Sequence, residues 1–304
     1  MIDLCFLGTG GSIPMPERAL ASLYVRTGGK ALLIDCGEGT QMQIMKLGWG
    51  FRCIDGLLLT HYHADHCSGL PGFLLAQAKA SREAPLHVYG PAGLRRVLDG
   101  LRVICPQLPY PLVMHEITGE ESSFPFIGMD ITPFPLDHGM PCLGYAFSLP
   151  RIPAFLPEKA RALGIPLPLW KHLQRGESVT YEGRLFAPKD VQGPPRSGLS
   201  FLYATDTRPT PRIVSNGRHT DLMILEGMYG EEEKLGHAMR NHHMLYRESA
   251  ALAKESETKE LILTHFSTSM ETPDTYLSCA QAVFPATRCA TDLMTYTLRF
   301  PERR

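Results

Sequence analysis

The chain has no pair of cysteines at the spacing that a disulfide framework or a zinc ribbon would use. Its 304 residues include eight cysteines, but none of these form a CxxC motif. The opening stretch MIDLCFLGTGG has neither a basic leader nor a cleavable apolar core, so no signal peptide is expected. No apolar run in the sequence is long enough to span a membrane. These absences favour a reduced, cytoplasmic location in which most cysteines are small buried apolar residues.

A strong net charge is also missing. The chain has 30 Lys and Arg residues against 31 Asp and Glu residues, a net charge of −1. Overall charge therefore neither supports nor excludes a polyanionic partner, and any polyanion-binding surface has to be local. Residues 151–200 have such a local excess, with eight basic against four acidic residues in a stretch rich in proline and glycine. This stretch is either a solvated connecting loop or a protrusion that holds a substrate.

Strand-like apolar segments alternate with helical segments along most of the chain. The predicted strands include DLCFLG, LYVRT, KALLIDCG, PLHVYG, MDITPFPL, GYAFSL, LSFLYATD, DLMILEG and KELILTHFS. The predicted helices include PGFLLAQAKAS, AGLRRVLDGLRVI and YRESAALAKESE. Several of these strands end in Asp, Glu or His. The pattern predicts an α/β fold in which helices cover the sheets and polar side chains gather at strand ends.

The stretch LLLTHYHADHCSGLPG places three histidines and an aspartate within six positions after an apolar strand. Polar residues at this density need a shared partner, and a metal ion is the simplest one. Because alternate residues of a strand share a face, His61 and His63 are predicted to bind one ion together. Asp65 and His66, where the chain turns toward the next helix, are predicted to bind a second ion. Cys67 lies outside the HxHxDH spacing and is assigned to helix packing.

Three later strand ends supply the missing ligands: His138 in PFPLDHGMP, Asp206 in YATDTRP and His265 in LILTHFS. A carboxylate can bridge two cations, so Asp206 is predicted to lie between them. Zinc prefers imidazole and carboxylate ligands, and Mn²⁺ or Fe²⁺ would accept the same set. Asp35 in LLIDCGEGT is expected to orient a ligand histidine through a hydrogen bond. The predicted ligands of the two Zn²⁺ ions are His61, His63 and His138 on one, Asp65, His66 and His265 on the other, and Asp206 on both.

These motifs resemble the metallo-β-lactamase superfamily and, within it, the ribonuclease Z family. The similarity runs from FLGTGG near the start to LILTHFS, and FLGTGGSIPMPER resembles the family's opening strand and substrate loop. The segment LPEKARALGIPLPLWKHLQRGESVTYEGRLFAPKDVQGPP resembles its tRNA-clamping arm. The resemblance implies an αββα four-layer sandwich forming a single domain over residues 1–304, with residues 151–200 as a flexible arm insertion. It also implies a homodimer.

The activity implied by the resemblance is endonucleolytic removal of the 3′ trailer from precursor tRNA. The family's catalytic histidine corresponds to His243, which lies 22 positions before His265. Glu226 in MILEGM would hold that histidine in the correct tautomer, and Asp65 would act both as a metal ligand and as an acceptor for the attacking water. The expected substrate contacts are Arg18 in the opening loop and Arg161, Lys171 and Arg175 in the arm.

Other activities share part of this pattern. A hydrolase of small phosphodiesters, thioesters or lactones would need the same seven ligands, but neither a basic protrusion nor a histidine placed like His243. A non-catalytic RNA-binding protein with a vestigial site is disfavoured, because all seven ligands are present. Ala19, the pair Leu167–Pro168 and Met244 depart from the family's usual residues. All of these positions concern substrate handling rather than metal ligation.

Overall fold

The computed structural model describes residues 1–118 and 122–301, and the chain forms two compact units. The first unit consists of Met1–Ser148 and Ser200–Arg304, and the second is Leu149–Leu199. Within the described residues, no helix has the length and apolarity needed to cross a membrane.

The strands of the described residues, in chain order, are β1 (Ile2–Gly8), β2 (Ser22–Thr27), β3 (Lys30–Ile34), β4 (Ile54–Leu58), β5 (Leu86–Pro91), β6 (Leu112–Ile117), β7 (Phe124–Phe126), β8 (Met129–Pro135), β9 (Leu143–Arg151), β10 (Val179–Tyr181), β11 (Arg184–Phe186), β12 (Arg196–Ala204), β13 (Leu222–Glu226), β14 (Leu261–Thr264), β15 (Thr287–Cys289) and β16 (Thr295–Leu298). The α-helices are α1 (Thr40–Leu47), α2 (Ala64–Cys67), α3 (Leu70–Lys79), α4 (Leu94–Leu101), α5 (Pro157–Ala162), α6 (Leu167–Gln174), α7 (Pro211–Gly217), α8 (Leu235–Asn241), α9 (Tyr246–Glu255) and α10 (Leu277–Gln281). Short 3-10 turns occupy Arg102–Ile104, Pro188–Val191, Glu232–Lys234 and Pro273–Tyr276.

Two seven-stranded sheets make up the first unit. Their strand orders are β16-β1-β2-β3-β4-β5-β6 and β15-β14-β13-β12-β9-β8-β7. Strands β3 to β6 are parallel to one another, and so are β12 to β15. Because the carboxyl ends of parallel strands lie at one edge of a sheet, the loops that follow them are neighbours. This arrangement is what gathers the polar strand ends.

Both faces of the central strands of each sheet are buried, as a four-layer sandwich requires. Leu57 of β4 packs in one core with Phe73 of α3, and Leu263 of β14 packs in another with Tyr246 of α9. Leu58, the neighbour of Leu57, points to the opposite face of its sheet and is also fully buried. Burial on both faces explains why the strands are nearly continuous apolar runs. The predicted strands and helices are present, so the predicted α/β fold is confirmed.

Two expectations about local structure were wrong. His61 and His63 do not lie on a strand: β4 ends at Leu58, because the Thr60 amide donates to the Asp35 carboxylate instead of extending the strand ladder. The predicted helix AGLRRVLDGLRVI ends at Leu101 and continues only as a 3-10 turn. A glycine at position 100 weakens the last turn of that helix.

The second unit has a small core of its own. Its strands β10 and β11 form an antiparallel hairpin, and its helices α5 and α6 precede that hairpin in the chain. The buried residues of this core are Ala160, Ile165, Leu173, Val179, Phe186 and Val191. The unit is therefore folded rather than a plain connecting loop. That it binds substrate stays a prediction.

Candidate metal centre

The polar side chains predicted to bind metal lie in the connections that follow strands of both sheets, with Asp65 and His66 in the short helix α2. His61, His63, Asp65 and His66 follow β4 in the first sheet, whereas His138, Asp206 and His265 follow β8, β12 and β14 in the second. Asp35, Asp206 and His265 each adopt a left-handed backbone, with φ of 61°, 58° and 56°. That conformation is unfavourable for residues other than glycine and is concentrated at functional sites.

The first group of donor atoms comes from His61, His63 and His138. The Nε2 atom of His61 lies 3.0 Å from Nδ1 of His63, and that Nδ1 lies 3.1 Å from Nε2 of His138. Four ligands around zinc, with bonds of about 2.0–2.1 Å, stand roughly 3.3 Å apart. The three nitrogens are therefore spaced as ligands of one ion would be.

The second group comes from Asp65, His66 and His265. The Nε2 atoms of His66 and His265 are 3.1 Å apart. The Oδ2 atom of Asp65 is 3.6 Å from the first of these nitrogens and 3.5 Å from the second. Its position is set from the other side by the amide of Ser12, which donates to the same oxygen at 2.7 Å.

Asp206 stands between the two groups. Its Oδ2 atom lies 3.2 Å from Nε2 of His66 and 3.3 Å from Nε2 of His265, while Oδ1 lies 3.7 Å from Nε2 of His138. Oδ2 is buried and has no hydrogen-bond partner among the described residues. A buried carboxylate oxygen without a partner is costly, and a cation would compensate it. The donor set therefore fits a metal ion, and this cluster can bind one.

Three histidines of the cluster are bonded through the ring nitrogen that faces away from it. Nδ1 of His66 bonds to Oδ2 of Asp35 at 2.8 Å, and Nδ1 of His138 bonds to the carbonyl of His242 at 3.2 Å. Nδ1 of His61 bonds to the Thr60 hydroxyl at 3.0 Å, and this hydroxyl donates to Asp35. Such bonds fix each ring and leave the inner nitrogen free to bind metal.

The protonation of the cluster is mixed: Asp206 and Asp35 outweigh burial and raise the pKa of His66, so its ring has to lose a proton to bind a metal ion. Burial lowers the pKa of His61 well below its usual value and that of His138 to about 4, so both rings are neutral at pH 7. Neutral imidazole is the form that ligates a metal. Burial alone would raise the pKa of Asp206, but His265 and His66 outweigh it and hold that pKa well below the usual range. The same opposition, with His265 and His66 again dominant, lowers the pKa of Asp65.

His243 and Glu226 form a pair beside the cluster. Nδ1 of His243 lies 2.8 Å from Oε2 of Glu226. Glu226 is fully buried, and its other oxygen, Oε1, accepts the amide of Thr207 at 2.8 Å. The His243 ring centre is 5.2 Å from that of His138 and 6.0 Å from that of His265. Burial opposes protonation of His243, but Glu226 and Asp206 outweigh it and raise the pKa to about 9.

A cleft of about 380 Å³ opens onto the cluster. Ser12, Tyr229, Asn241 and Ser267 line it together with the metal-binding side chains and His243. Its volume is in the range of pockets that hold small ligands, and both the cluster and His243 line it.

The four predicted substrate contacts differ in burial. The Arg18 side chain is buried and donates to the carbonyls of Ser267, Met270 and Glu271, at 3.1, 2.7 and 3.0 Å. These bonds use its guanidinium to hold the loop after His265, and its contact with substrate stays a prediction. The other three side chains are exposed and belong to the second unit: Arg161, Lys171 and Arg175.

Sequence reasoning missed several residues that support the site. Thr60 and Thr207 each adjoin a predicted ligand, in LLLTHYH and YATDTRP, and this adjacency was the available signal. The amide of Ser12 and the carbonyl of His242 act through the backbone. No side-chain pattern can reveal a backbone contact, so these two had no signal in the sequence.

Fold and site together define a hydrolase of the metallo-β-lactamase fold. The structure resembles human tRNase Z, short form, with a TM-score of 0.70 and 23% identity over 98% of this chain and 100% of that one. It also resembles the metallo-β-lactamase fold protein YhfI from Bacillus subtilis, with a TM-score of 0.69 and 18% identity over 97% and 98% of the two chains. Residues 2–102 match the family model described as Anti-Pycsar protein Apyc1.

Relatives at higher identity decide the family. The chain is 45% identical to a ribonuclease Z of Lachnospira eligens over 302 residues, 99% of both chains. It is 43% identical to a ribonuclease Z of Clostridium acetobutylicum over 298 residues, 96% of both chains. This chain belongs to the ribonuclease Z family. The predicted family, fold and endoribonuclease class are confirmed.

Proposed function

We propose that this enzyme removes the 3′ trailer from precursor tRNA. The observation that carries this proposal is the His243–Glu226 pair facing a cluster that can bind metal across one cleft. A hydrolase of activated small esters would need the cluster alone. Cleavage of RNA between a phosphorus and a ribose 3′-oxygen also needs a proton donor for a poor leaving group. The names of the relatives and of the human structural neighbour agree with this substrate.

We assign two Zn²⁺ ions to the cluster. The two oxygens of Asp206 face different ligand groups, the arrangement that a carboxylate shared by two cations would need. Mn²⁺ or Fe²⁺ would fit the same donors. When bound, two such ions would provide a nucleophile from water at neutral pH and would neutralise charge on the phosphoryl oxygens.

The protein's own groups then have separate tasks. Asp65, held by the Ser12 amide, has an oxygen at the edge of the cleft where it can accept a hydrogen bond from the attacking water. Glu226 accepts the Nδ1 proton of His243 and, with Asp206, raises the pKa of that ring to about 9, so the ring is protonated at pH 7 and its Nε2 carries the proton that can be donated. As the bond between phosphorus and the ribose 3′-oxygen breaks, the new bond forms to the water oxygen and His243 protonates the leaving oxygen.

RNA affinity would come from the second unit. Arg161, Lys171 and Arg175 are exposed there, and their charges can contact phosphates. Binding that depends on such contacts weakens as salt rises.

The direct test is incubation of the purified, zinc-loaded protein with a precursor tRNA, followed by mapping of the cut end. We expect one cut just past the discriminator base. If a small phosphodiester such as bis(p-nitrophenyl) phosphate were hydrolysed while the precursor stayed intact, the alternative of a small-ester hydrolase would replace this proposal.

We further propose that the enzyme is a cytoplasmic homodimer. The dimer rests on the family resemblance, and the reduced, cytoplasmic location on eight cysteines that form no disulfide in the described residues. Analytical ultracentrifugation of the zinc-loaded protein should give twice the chain mass of 33.7 kDa. A monomer at micromolar concentration would contradict it.

A further inference from the structure

A largely buried salt bridge outside the metal cluster contacts the segment that carries His243. Arg208 and Glu248 meet in a two-pronged pair, with Nη1 to Oε2 at 2.9 Å and Nη2 to Oε1 at 2.5 Å. Each side chain is only 18% exposed. The same Nη1 also donates to the main-chain carbonyl of His243 at 2.5 Å. One guanidinium therefore bonds to both the salt-bridge partner and the backbone of the proposed acid.

Glu248 secures the other end of that segment. It lies in the first turn of α9, and its Oε2 accepts the amide of Leu245 at 2.9 Å. The pair therefore bonds to the carbonyl of His243, through Arg208, and to the amide of Leu245, through Glu248. Met244 between them is fully buried, so the segment is anchored at each of its three residues.

Three consecutive residues connect this salt bridge with the metal cluster: Asp206, Thr207 and Arg208. The Asp206 carboxylate lies in the cluster, the Thr207 amide donates to Glu226, and the Arg208 amide donates to the carbonyl of Asp137 at 2.9 Å. The backbone that places the bridging carboxylate is thus the same backbone that places the guanidinium. The distance between cluster and His243 depends on this short stretch.

We propose that Arg208 is a positioning residue for the proton transfer, acting with Glu248 to set where the His243 ring stands relative to the metal cluster. The inference rests on the proposed role of His243 as the acid. Displacement of a catalytic group by about 1 Å can cost on the order of 100-fold in rate. Lysine cannot replace Arg208, because an ammonium lacks the planar fork that contacts two oxygens of Glu248.

The test compares two leaving groups. In Arg208→Lys, turnover of precursor tRNA should fall by about 10–100-fold, because its ribose oxygen leaves poorly without a proton. Turnover of bis(p-nitrophenyl) phosphate should fall less than about threefold, because p-nitrophenolate leaves as a stable anion. Zinc content should be unchanged. Equal losses on the two substrates, or loss of zinc, would overturn the inference.

Arg247 provides a matched control on α9, the helix that carries Glu248. It forms a similar two-pronged pair with Glu232, with both distances 2.9 Å, but these side chains are about half exposed. Arg247→Lys should change neither turnover. In a His243→Ala background, Arg208→Lys should cause no further loss, because the two changes remove one function. Losses that add would contradict a shared function.

A readout without turnover separates this inference from the proposed substrate. The ¹⁵N signals of the His243 ring should shift in zinc-loaded Arg208→Lys and in Glu248→Gln, and stay in place in Arg247→Lys. Glu248→Gln is the second variant, for the case that Arg208→Lys folds poorly. It keeps the side-chain size and an oxygen that can accept the amide of Leu245. Unshifted His243 signals would overturn the inference, whereas a wild-type enzyme that leaves precursor tRNA intact would overturn the proposed substrate alone.

Discussion

At the scale of single residues, the metal centre depends on bonds that face away from it. Asp35 bonds to the outer nitrogen of His66 and, through Thr60, to that of His61. Partners of this kind orient a ligand and raise its basicity, and their loss typically lowers metal affinity by about 10–100-fold. One carboxylate therefore supports both ligand groups, although it bonds to no metal itself.

Asp35→Asn should lower zinc affinity by about 10–100-fold, since the amide keeps the size but loses the charge that polarises both rings. A competition titration with a chromophoric chelator would measure this. Asp3→Asn is the control, because Asp3 pairs with Arg26 between β1 and β2 of the first sheet and accepts the Thr297 hydroxyl, and neither partner belongs to the cluster. Unchanged affinity in Asp35→Asn would show that the ring orientations do not depend on this carboxylate.

Gly11→Ala should displace His265 and reduce bound zinc. A Cβ at position 11 would lie 2.5 Å from Cε1 and 2.8 Å from Nε2 of His265, which is too close for any side chain. Elemental analysis of the purified variant measures the loss. Gly100→Ala is the control: a Cβ there meets nothing within 4 Å, and alanine in a helix should stabilise the protein by about 0.5–1 kcal/mol. Full zinc occupancy in Gly11→Ala would show that a Cβ at position 11 does not displace the His265 ring.

His243→Ala should keep the zinc content and lower the turnover of precursor tRNA by about 100–10,000-fold, the usual contribution of general acid catalysis. Single-turnover cleavage of end-labelled precursor would measure it. Glu226→Gln should also lower the turnover of precursor tRNA, by a smaller factor, because it weakens the hydrogen bond that fixes the tautomer of His243. Turnover equal to wild type in His243→Ala would remove its role as the acid.

At the scale of elements, the connections that follow the strands, rather than the strands themselves, hold the candidate metal ligands. The central strands resemble one another in their apolar composition. The turn after each strand places a different polar side chain at the same edge of the sheet. Left-handed residues at Asp35, Asp206 and His265 make those turns sharp. Their conformational cost is offset by the packed strands on either side.

Replacing residues 152–195 by a short Gly-Ser linker should abolish cleavage of precursor tRNA and spare bis(p-nitrophenyl) phosphate. The second unit has a separate core, so its loss leaves the two sheets and the cluster intact. Parallel rate measurements on the two substrates provide the comparison, with the triple variant R161A, K171A and R175A as a milder control. Equal loss on both substrates would mean that the second unit supports folding instead.

At the scale of the whole molecule, the cluster joins the two sheets. Its ligands before residue 70 follow a strand of the first sheet, whereas His138, Asp206 and His265 follow strands of the second. A bound cation would therefore link the halves of the sandwich and stabilise the folded state through binding linkage.

Removing metal should lower the melting temperature, and added zinc should restore it. A ligand present at 100 times its dissociation constant contributes about 2.7 kcal/mol to stability. Differential scanning calorimetry of the protein with EDTA, and then with excess zinc, would measure the shift. Identical melting temperatures in the two conditions would contradict metal binding at the folded cluster.

The sequence by itself determined the alternation of strands and helices and the ligand types. Burial on both faces requires apolar runs, and ligation requires His and Asp, so both requirements are visible in the residues themselves. The separation of His61 from Leu58 by a loop was not visible, because the end of β4 depends on a hydrogen bond to Asp35, 25 residues earlier.

The sequence predicted two supporting groups, Asp35 for a ligand histidine and Glu226 for His243, but only the tertiary structure revealed the others. The Ser12 amide, the His242 carbonyl and the Arg208–Glu248 pair act across long sequence separations, and two of these contacts use backbone atoms that every residue has. Spacing along the chain constrains groups that share one strand or helix. It does not constrain groups that are far apart in the chain and meet only when it folds, and much of the support of this site is built from such groups.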